Sequence, residues 1–336
     1  MKMSVVVTSI AGPNRALRSI ADGCRRSGAS FYLIGDEHTP PDFQLDNCTF
    51  LGIAAQLETG FATATACPRR HYARKNIGYL LSYRDGADLI VETDDDNHPH
   101  EGFWAPRHRV QRAPTAGSGW VNIYAYFSDQ RIWPRGFPLD AVQNASPPID
   151  ELAVAETDSP IQQGLCDTNP DVDAVYRLIL PLPIQFARGR IALSAGSWCP
   201  FNSQNTTWWR EAFPLLYLPA YCSFRMTDIW RSFVAQRICW TNGWSVLFHE
   251  PTVTQERNEH NLLRDFQDEI PGYLNNRRIA ETLEAVSLAT GSDRIPDNLR
   301  VCYEALIRIG VIEPRELPLL DAWLQDLADI HGDRGQ

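Results

Sequence analysis

The chain of 336 residues is almost without lysine, because arginine supplies all but two of its 31 basic residues. The two exceptions are Lys2 and Lys75. Its eight cysteines include no C-x-x-C pair, which argues against a zinc cluster, and a chain of this length does not need a disulfide framework. We therefore expect reduced thiols packed in the interior.

Long apolar runs are also absent. No stretch approaches the roughly 20 residues that cross a membrane, and the apolar run near the N-terminus is too short for a secretory signal and lacks a small-residue cleavage site. We expect a cytoplasmic protein without a transmembrane segment, whose contact with any membrane-bound substrate would be peripheral.

The charge balance excludes one class of partner. The 41 acidic residues outnumber the bases, and the net charge of -10 does not suit general nucleic-acid binding, which requires a basic field. With 44% hydrophobic and 21% charged residues, the composition is that of a globular protein of one large or two ordinary domains.

Strand and helix patterns alternate over about the first hundred residues. The segments VVVTS, FYLIGD and DLIVETDDDN read as strands, and helical spacing separates them. This alternation predicts an α/β fold with a parallel sheet covered by helices. All three strands end in polar residues, so their carboxyl ends should form one nucleotide-sized site at a single sheet edge.

The segment ADLIVETDDDNHP, residues 87–99, places several carboxylates directly after a buried strand. Two carboxylates about 4 Å apart repel by about 4 kcal/mol at an effective dielectric near 20, so the cluster favours a bound cation. Asp94 and Asp96 alternate and can converge on Mg²⁺ or Mn²⁺ if the chain turns there. A solvated acidic turn and a phosphate-accepting aspartate at Asp94 are the alternatives.

Longer segments resemble a known family. KNIGYLLSYRDGADLIVETDDDN resembles the donor half of glycosyltransferases with the GT-A fold. Four later segments together resemble the STELLO-type glycosyltransferases, with a fainter similarity to the reversibly glycosylated polypeptides. They are WPRGFP, QGLCDTNPDVDAVYR, PFNSQNTTWW and FRMTDIWRSFVAQR. The resemblance spans roughly residues 5–260, and we expect the helical tail to fall outside it.

The resemblance implies a GT-A-like fold, with a mostly parallel central sheet flanked by helices and a helical C-terminal extension. We predict a nucleotide-sugar-binding half at 1–110, an acceptor and catalytic half of the same unit at 111–260, and the helical extension at 261–336.

The resemblance also implies roles on the donor side. Asp94 and Asp96 would bind the metal, with Asp95 near the donor sugar. Ser9 and Asp36 would contact the base and ribose. Further candidates around the diphosphate are Arg74, Lys75, Asn76 and Arg225. Lys75 would offer a point charge to phosphate, or else only begin a helix, and Arg225 could instead pair with a neighbouring acid.

The helix that begins near RMTDIW supplies the candidate base. Thr227 suits the N-cap position, which places Asp228 in the first turn, where the helix dipole favours its ionised form. By resemblance, Asp228 would deprotonate the acceptor hydroxyl and the reaction would invert the anomeric centre. The alternative is an aspartate that only stabilises the helix.

Two further groups complete the predicted site. By resemblance, His249 in WSVLFHEP would return to the metal, with His260 as the fallback. The segment AGSWCPFNSQNTTWW combines indoles with amides, a composition suited to sugars. Its candidates for sugar contact are Trp198, Asn202, Gln204 and Asn205, unless the segment is a structural loop.

Together these features predict a metal-dependent glycosyltransferase of polysaccharide biosynthesis. It would transfer a sugar from a nucleotide diphosphate, most plausibly UDP, to a hydroxyl of a saccharide or glycoconjugate. A nucleotide-sugar mutase would use much of the same donor site. A non-catalytic nucleotide-sugar-binding scaffold is the alternative from another class. The sequence does not predict the oligomeric state.

Overall fold

A computed structural model describes residues 1–257 and 261–334. Its strands are β1 (Met3–Thr8), β2 (Ser30–Ile34), β3 (Thr49–Leu51), β4 (Leu89–Thr93), β5 (Asn97–Pro99), β6 (Val110–Ala116), β7 (Gly119–Trp120), β8 (Ala153–Asp158), β9 (Ile161–Asp167), β10 (Arg190–Leu193), β11 (Ser197–Trp198), β12 (Asn205–Trp209) and β13 (Val246–Gln255). Its α-helices are α1 (Arg15–Ser27), α2 (Ile53–Glu58), α3 (Ala62–Ala66), α4 (Lys75–Arg84), α5 (Ala174–Ile179), α6 (Thr227–Thr241), α7 (Leu262–Ala285), α8 (Ile295–Arg308) and α9 (Glu316–Arg334).

One 11-stranded sheet forms the centre, in the order β3-β2-β1-β4-β12-β9-β13-β10-β6-β8 with β5 beside β13. The first four strands in this order are parallel, as the alternating pattern predicted. Beyond β4 the sheet is mixed, because β12, β10, β6 and β5 run against the direction of the other strands. The α/β fold with a central sheet flanked by helices is therefore confirmed.

Helix α4 lies directly against the parallel part of the sheet. A Cβ atom on Gly78 would come within 2.5 Å of Val6 Cγ1, so the glycine allows the helix backbone to approach β1 closely. Together with α9 and the 3₁₀ segment at 210–216, which also contact α4, the sheet buries this helix on nearly all sides. The close approach to β1 fixes the position of the α4 N-terminus relative to the end of β4.

A buried ion pair joins β4 to helix α6. Arg231 donates two hydrogen bonds to Glu92, at 2.9 and 2.8 Å, and both side chains are almost fully buried. Tyr79 Oη and Trp208 Nε1 donate to the same carboxylate. Burial works against the charge on Arg231, but Glu92 outweighs it and raises the guanidinium pKa. The ion pair holds the first turns of α6 beside the strand that carries the acidic cluster.

The C-terminal helices share the main core. Leu320 and Trp323 of α9 belong to the same buried apolar cluster as α4 and α6. Glu316 accepts hydrogen bonds from the backbone N–H groups of Ala220 and Tyr221, at 3.0 and 2.7 Å. Asp326 accepts two more from the start of α3. The extension is thus built into the fold by buried polar contacts.

Two expectations about composition can be compared with the structure. All eight cysteines are free thiols, six of them buried, as predicted. Among the helices of residues 1–257 and 261–334, none combines the length and the apolar character needed to cross a bilayer.

We predict that Arg231→Met lowers the free energy of unfolding by about 3–5 kcal/mol, because it leaves the Glu92 carboxylate buried and unpaired. The double variant Glu92→Leu, Arg231→Met should lose much less unfolding free energy, because no buried charge is left unpaired. Urea unfolding followed by tryptophan fluorescence measures both.

The control is Arg300→Met. Arg300 pairs with Asp321 at the surface, where both side chains are about half exposed, and loss of such a pair should cost at most about 1 kcal/mol. A double variant as unstable as Arg231→Met alone would contradict the assignment of the cost to the unpaired carboxylate.

Candidate active site

A cleft of about 490 Å³ opens at the carboxyl ends of β1, β2 and β4. It also receives the first turn of α6 and the end of β13. Nine of the residues predicted from sequence line this cleft, namely Ser9, Asp36, Arg74, Asp94, Asp95, Asp96, Gln204, Arg225 and Asp228. The fold therefore brings the end of β4 and the start of α6 to the same site.

Asp94 is paired with a cation of the chain itself. Lys75 Nζ is fully buried and lies 3.2 Å from Asp94 Oδ1, which also accepts from Tyr72 Oη at 2.8 Å. The ammonium group further donates to Thr93 O at 2.7 Å and Ser203 O at 3.3 Å. Burial raises the pKa of Asp94, and Lys75 opposes that effect. Lys75 thus holds Asp94 in place, and it does not line the cleft.

Ser9 and Asp95 connect the ends of β1 and β4. Ser9 Oγ donates to Asp95 Oδ2, and the Asn14 side chain donates to Asp95 O at 2.7 Å. Asp36, beyond the end of β2, accepts from the backbone N–H of His71 at 2.9 Å. Burial raises the pKa of Asp95. These contacts hold the three strand ends around one opening.

Asp96 has the least compensated carboxylate of the three aspartates. Gln255 Nε2 donates to its Oδ2 at 3.0 Å, whereas its buried Oδ1 has no hydrogen-bond partner among the described residues. Burial, followed by the neighbouring Asp94, raises the pKa of Asp96 to about 7. A buried carboxylate oxygen without a partner fits a site for a cation or a proton.

The carboxylates of the acidic turn suit a hard cation that takes only some of its ligands from the protein. The chain turns at 94–97, as convergence of Asp94 and Asp96 requires, with Asn97 N donating to Asp94 O at 3.3 Å. Within the part of the chain that the structure describes, no three His, Cys, Asp or Glu side chains form a metal-ligand group. Mg²⁺ commonly takes one or two carboxylates and completes its shell with water and phosphate. The residues present fit that pattern.

Asp228 lies in the first turn of α6, where the sequence placed it. The N-cap is Met226 and makes no side-chain cap bond, so the prediction of Thr227 as N-cap is wrong; Thr227 already has helical dihedrals. Helix α6 follows a 3₁₀ turn at 224–226, and the chain therefore enters the helix without the extended residue that a capping side chain needs.

The Asp228 carboxylate shares one arginine with a second aspartate. Arg135 donates to Asp228 at 2.9 and 3.1 Å and to both oxygens of Asp171 at 2.8 Å. Ser203 N and Oγ also donate to Asp228, each at 3.2 Å. Burial alone would raise the pKa of Asp228, but Arg135 outweighs it and lowers the pKa to about 2. Asp228 is therefore ionised throughout the physiological range.

His249 does not reach the acidic cluster. It lines a second cleft, whereas Gln255, six residues further along β13, contacts Asp96. Strand β13 is irregular between His249 and Val253, and the β9 partners of His249 and Thr254 are only three residues apart, so His249 and Gln255 are separated by roughly 10–15 Å along the sheet. One ion cannot bridge Asp96 and His249, so the predicted ligation by His249 is wrong in this geometry. His260 lies outside the described residues.

Three of the predicted sugar-contacting residues have partners inside the protein. Trp198 is buried among aromatic rings and donates to Glu284 at 2.6 Å. Asn205 bonds Leu165 O and Thr252 Oγ1, both at 2.9 Å. Asn202 accepts from Gln204 N at 3.0 Å and lies beneath the loop. The alternative of a structural loop applies to these three, and only Gln204 lines the cleft.

The other residues predicted to lie around the diphosphate also have partners inside the protein. Arg74 donates to Gln56 Oε1 at 2.6 Å and to Cys67 O at 2.9 Å. Asn76 makes a reciprocal pair of hydrogen bonds, each of 2.9 Å, with the backbone of Leu218. Arg225 pairs with the fully buried Glu269 at 2.7 Å, which is the alternative recognised for it. Arg225 nevertheless lines the cleft.

Sequence reasoning missed several residues of the cleft: Tyr72, Arg135, Asp171, Gln255 and Arg257. Arg135 and Asp171 lie within WPRGFP and QGLCDTNPDVDAVYR, segments that carried the family resemblance. Their position within those segments could have identified them as candidates. Gln255 and Arg257 carried none, because only the course of β13 brings them to the acids.

We predict a pH-dependent stability that originates at Asp96. Its pKa is raised in the folded state, so the stabilisation is complete below about pH 4 and is lost as the pH rises through about 7. Without divalent ions, Asp96→Asn should therefore exceed the wild type in unfolding free energy by about 1–3 kcal/mol near pH 8, with little difference near pH 4.5.

Urea unfolding at the two pH values measures this difference, and thermal unfolding with Mn²⁺ should show stabilisation of the wild type but not of Asp96→Asn. Asp22→Asn, at an exposed acid of α1, is the control and should match the wild type throughout. A difference between Asp96→Asn and wild type that does not change with pH would contradict the prediction.

Comparison with known proteins bears on the family resemblance. The model of the STELLO glycosyltransferases matches residues 225–333. The proteins named probable glycosyltransferase STELLO2 and STELLO1 of Arabidopsis thaliana are 27% and 28% identical to the chain over 96% of its length. The chain spans 44% of each of these relatives.

Two solved structures are also similar. One is the Mycobacterium tuberculosis glucosyl-3-phosphoglycerate synthase, with a TM-score of 0.39, 10% identity, and coverage of 84% of this chain and 79% of that one. The other is described as a mycobacterial protein, with a TM-score of 0.40, 11% identity, and coverage of 82% and 74%.

The extent of the family match corrects one expectation. The matched region includes α7, α8 and most of α9, so the prediction that the helical tail falls outside the resemblance is wrong. Helix α9 of this region contacts the rest of the fold through the carboxylates of Asp326 and Glu316. The resemblance inferred from the sequence motifs is confirmed: the chain is similar to the STELLO glycosyltransferase model over residues 225–333 and to the two named proteins along most of its length.

Proposed function

We propose that the chain is a metal-dependent glycosyltransferase that moves a sugar from a nucleotide diphosphate, with UDP as the expected nucleotide, to a hydroxyl of a saccharide or glycoconjugate. The observation that carries the proposal is the single cleft that joins three strand ends, the acidic turn and the ionised Asp228. Carboxyl ends of parallel strands are where open α/β sheets bind nucleotides.

The donor would lie across the strand ends. Ser9 and Asp36 would contact the base and ribose, and Asp94 and Asp96 would hold Mn²⁺ or Mg²⁺. The bound ion would neutralise charge that accumulates on the departing diphosphate. Arg225 and Arg257, which also line the cleft, add positive charge to the same space. Electrostatic stabilisation of the leaving group is the main requirement of such a transfer.

Asp228 is the proposed base. It is ionised at neutral pH and lines the cleft, and an acceptor hydroxyl that it deprotonated on the side opposite the departing diphosphate would react with inversion. A carboxylate with a pKa near 2 is a weak base. The acceptor hydroxyl would therefore replace one hydrogen bond from Arg135, which then remains bound to Asp171 and leaves Asp228 more basic.

A specific observation favours a second candidate, a non-catalytic nucleotide-sugar-binding scaffold. Asp228 already accepts hydrogen bonds from Arg135 and Ser203, so its charge is satisfied without a substrate. A protein that only binds the donor needs the acidic turn and the strand ends but has no use for a base.

The first test measures turnover. Donor hydrolysis and transfer should fall at least about 100-fold in Asp228→Asn, while nucleotide affinity changes less than about threefold. Asp297→Asn is the matched control, because Asp297 also lies in a first helical turn beside an arginine, at 2.8 Å from Arg294, but outside the cleft. Unchanged turnover in Asp228→Asn would remove Asp228 from the mechanism.

The second test measures binding. Isothermal titration with UDP should show tighter binding with Mn²⁺ in the wild type, and Asp96→Asn should lose that gain, roughly tenfold or more. If the wild type binds the nucleotide but does not turn over any donor, the scaffold is the correct assignment. Equal UDP affinity with and without Mn²⁺ would contradict the metal dependence.

A further inference from the structure

A second cleft, of about 740 Å³, lies away from the first. Its walls come from the loop after β5, from the segment before β10 and from the first half of β13. The small apolar cluster of Ala113, Ala192 and Leu247, all strand residues, is buried at this part of the sheet. Neither the family resemblance nor the proposed reaction assigns a role to this cleft.

Three arginines line this second cleft, and none of them forms an ion pair with a described carboxylate. Among the described residues, Arg107 has only weak contacts, with Ala105 O at 3.4 Å and Met3 Sδ at 3.9 Å, and it lies over the Phe103 ring. Arg190 donates to the Gln111 side chain. A guanidinium offers five N–H donors, so most N–H donors of these three arginines have no acceptor among the described residues.

Among the described residues, the acids of the same cleft form no ion pair with these arginines. Asp167 accepts from the backbone N–H of Phe186 at 2.9 Å, and Glu250 accepts from that of Gly189 at 3.2 Å. Glu101 is exposed at the rim. These two hydrogen bonds hold the segment before β10, and that segment positions Arg188 and Arg190.

The sheet places His249 beside these arginines. His249 pairs in register with Arg190 across β10 and β13, so both side chains project from the same face. On the other side of β13 its register partner is Gly164, where an added Cβ would lie 2.8 Å from the His249 ring. The absence of a side chain at Gly164 therefore makes room for the imidazole.

The imidazole presents a hydrogen-bond acceptor. Its Nδ1 lies 2.9 Å from Glu250 O, and since a carbonyl only accepts, Nδ1 carries the proton. Burial, followed by Arg107, lowers the pKa of His249 to about 4, so the ring is neutral near pH 7. The Nε2 atom is then an acceptor that suits a hydroxyl group.

We propose that the second cleft binds an anionic saccharide, whose carboxylate or phosphate contacts Arg107 and Arg190 while one hydroxyl donates to His249. Arginine matches both anions through paired N–H donors. The site is separate from the first cleft, because the described residues that line one cleft include none that line the other. A nucleotide in the first cleft and a saccharide in the second can therefore be bound together, whether or not the first cleft is catalytic.

The test uses the full chain at saturating UDP, with glucuronate, glucose 6-phosphate, glucose and inorganic phosphate as probes in NMR titrations. Wild type should bind the two anionic sugars about tenfold or more tightly than glucose. Arg190→Gln and Arg107→Gln should each weaken that binding about fivefold or more. Arg190 is exposed, so its variant keeps the test valid if Arg107→Gln does not fold.

Two further variants locate the site and define the ligand. Arg112→Gln is the matched control: Arg112 is exposed on β6 next to Gln111, and strand alternation turns it away from the cleft, so binding should stay unchanged. His249→Phe should weaken the binding of both anionic sugars but not that of inorganic phosphate.

Three results would overturn the proposal. Wild-type affinity in both Arg190→Gln and Arg107→Gln would exclude the cleft. Loss of binding in Arg257→Gln alone would place the anion in the first cleft. Equal affinity for inorganic phosphate and the anionic sugars, unaffected by His249→Phe, would show that no saccharide is recognised.

Discussion

The Glu92–Arg231 ion pair is the contact on which the geometry of the first cleft depends. Glu92 is the penultimate residue of β4, so the acidic turn follows it directly, and Arg231 lies one turn after Asp228 in α6. Because both charges are buried, neither can separate from the other without a large desolvation cost. The pair therefore fixes the position of the acidic turn relative to the start of α6, which together form the two halves of the cleft.

Buried carboxylates in this cleft are compensated to different degrees. Asp94 has the lysine of α4, and Asp228 has Arg135, so the protein supplies a cation for each. Asp96 has only an amide donor, and its pKa is correspondingly raised to about 7. The crowding of acids after β4 is thus partly balanced by the chain itself. The remaining imbalance is concentrated at one oxygen of Asp96, where a cation or a proton would act.

The accuracy of the sequence predictions followed the range of the interactions involved. The parallel strands, their polar ends and the position of Asp228 near a helix start depend on local patterns and were found correctly. The rarity of lysine singled out Lys75, although its partner is Asp94 instead of a phosphate. His249 and Trp198 were placed wrongly, because composition does not reveal how far along a strand, or on which side of a loop, a side chain lies.

The sequence by itself determined the parallel first half of the sheet, the acidic turn and the family resemblance, since hydrophobic periodicity and short motifs act over a few residues. Only the tertiary structure decided that Arg135 joins Asp171 to Asp228 and that Gln255 reaches Asp96, over separations of 36, 93 and 159 residues. Such contacts arise from the order of strands in the sheet. That order depends on burial summed over the whole chain, and no local pattern encodes it.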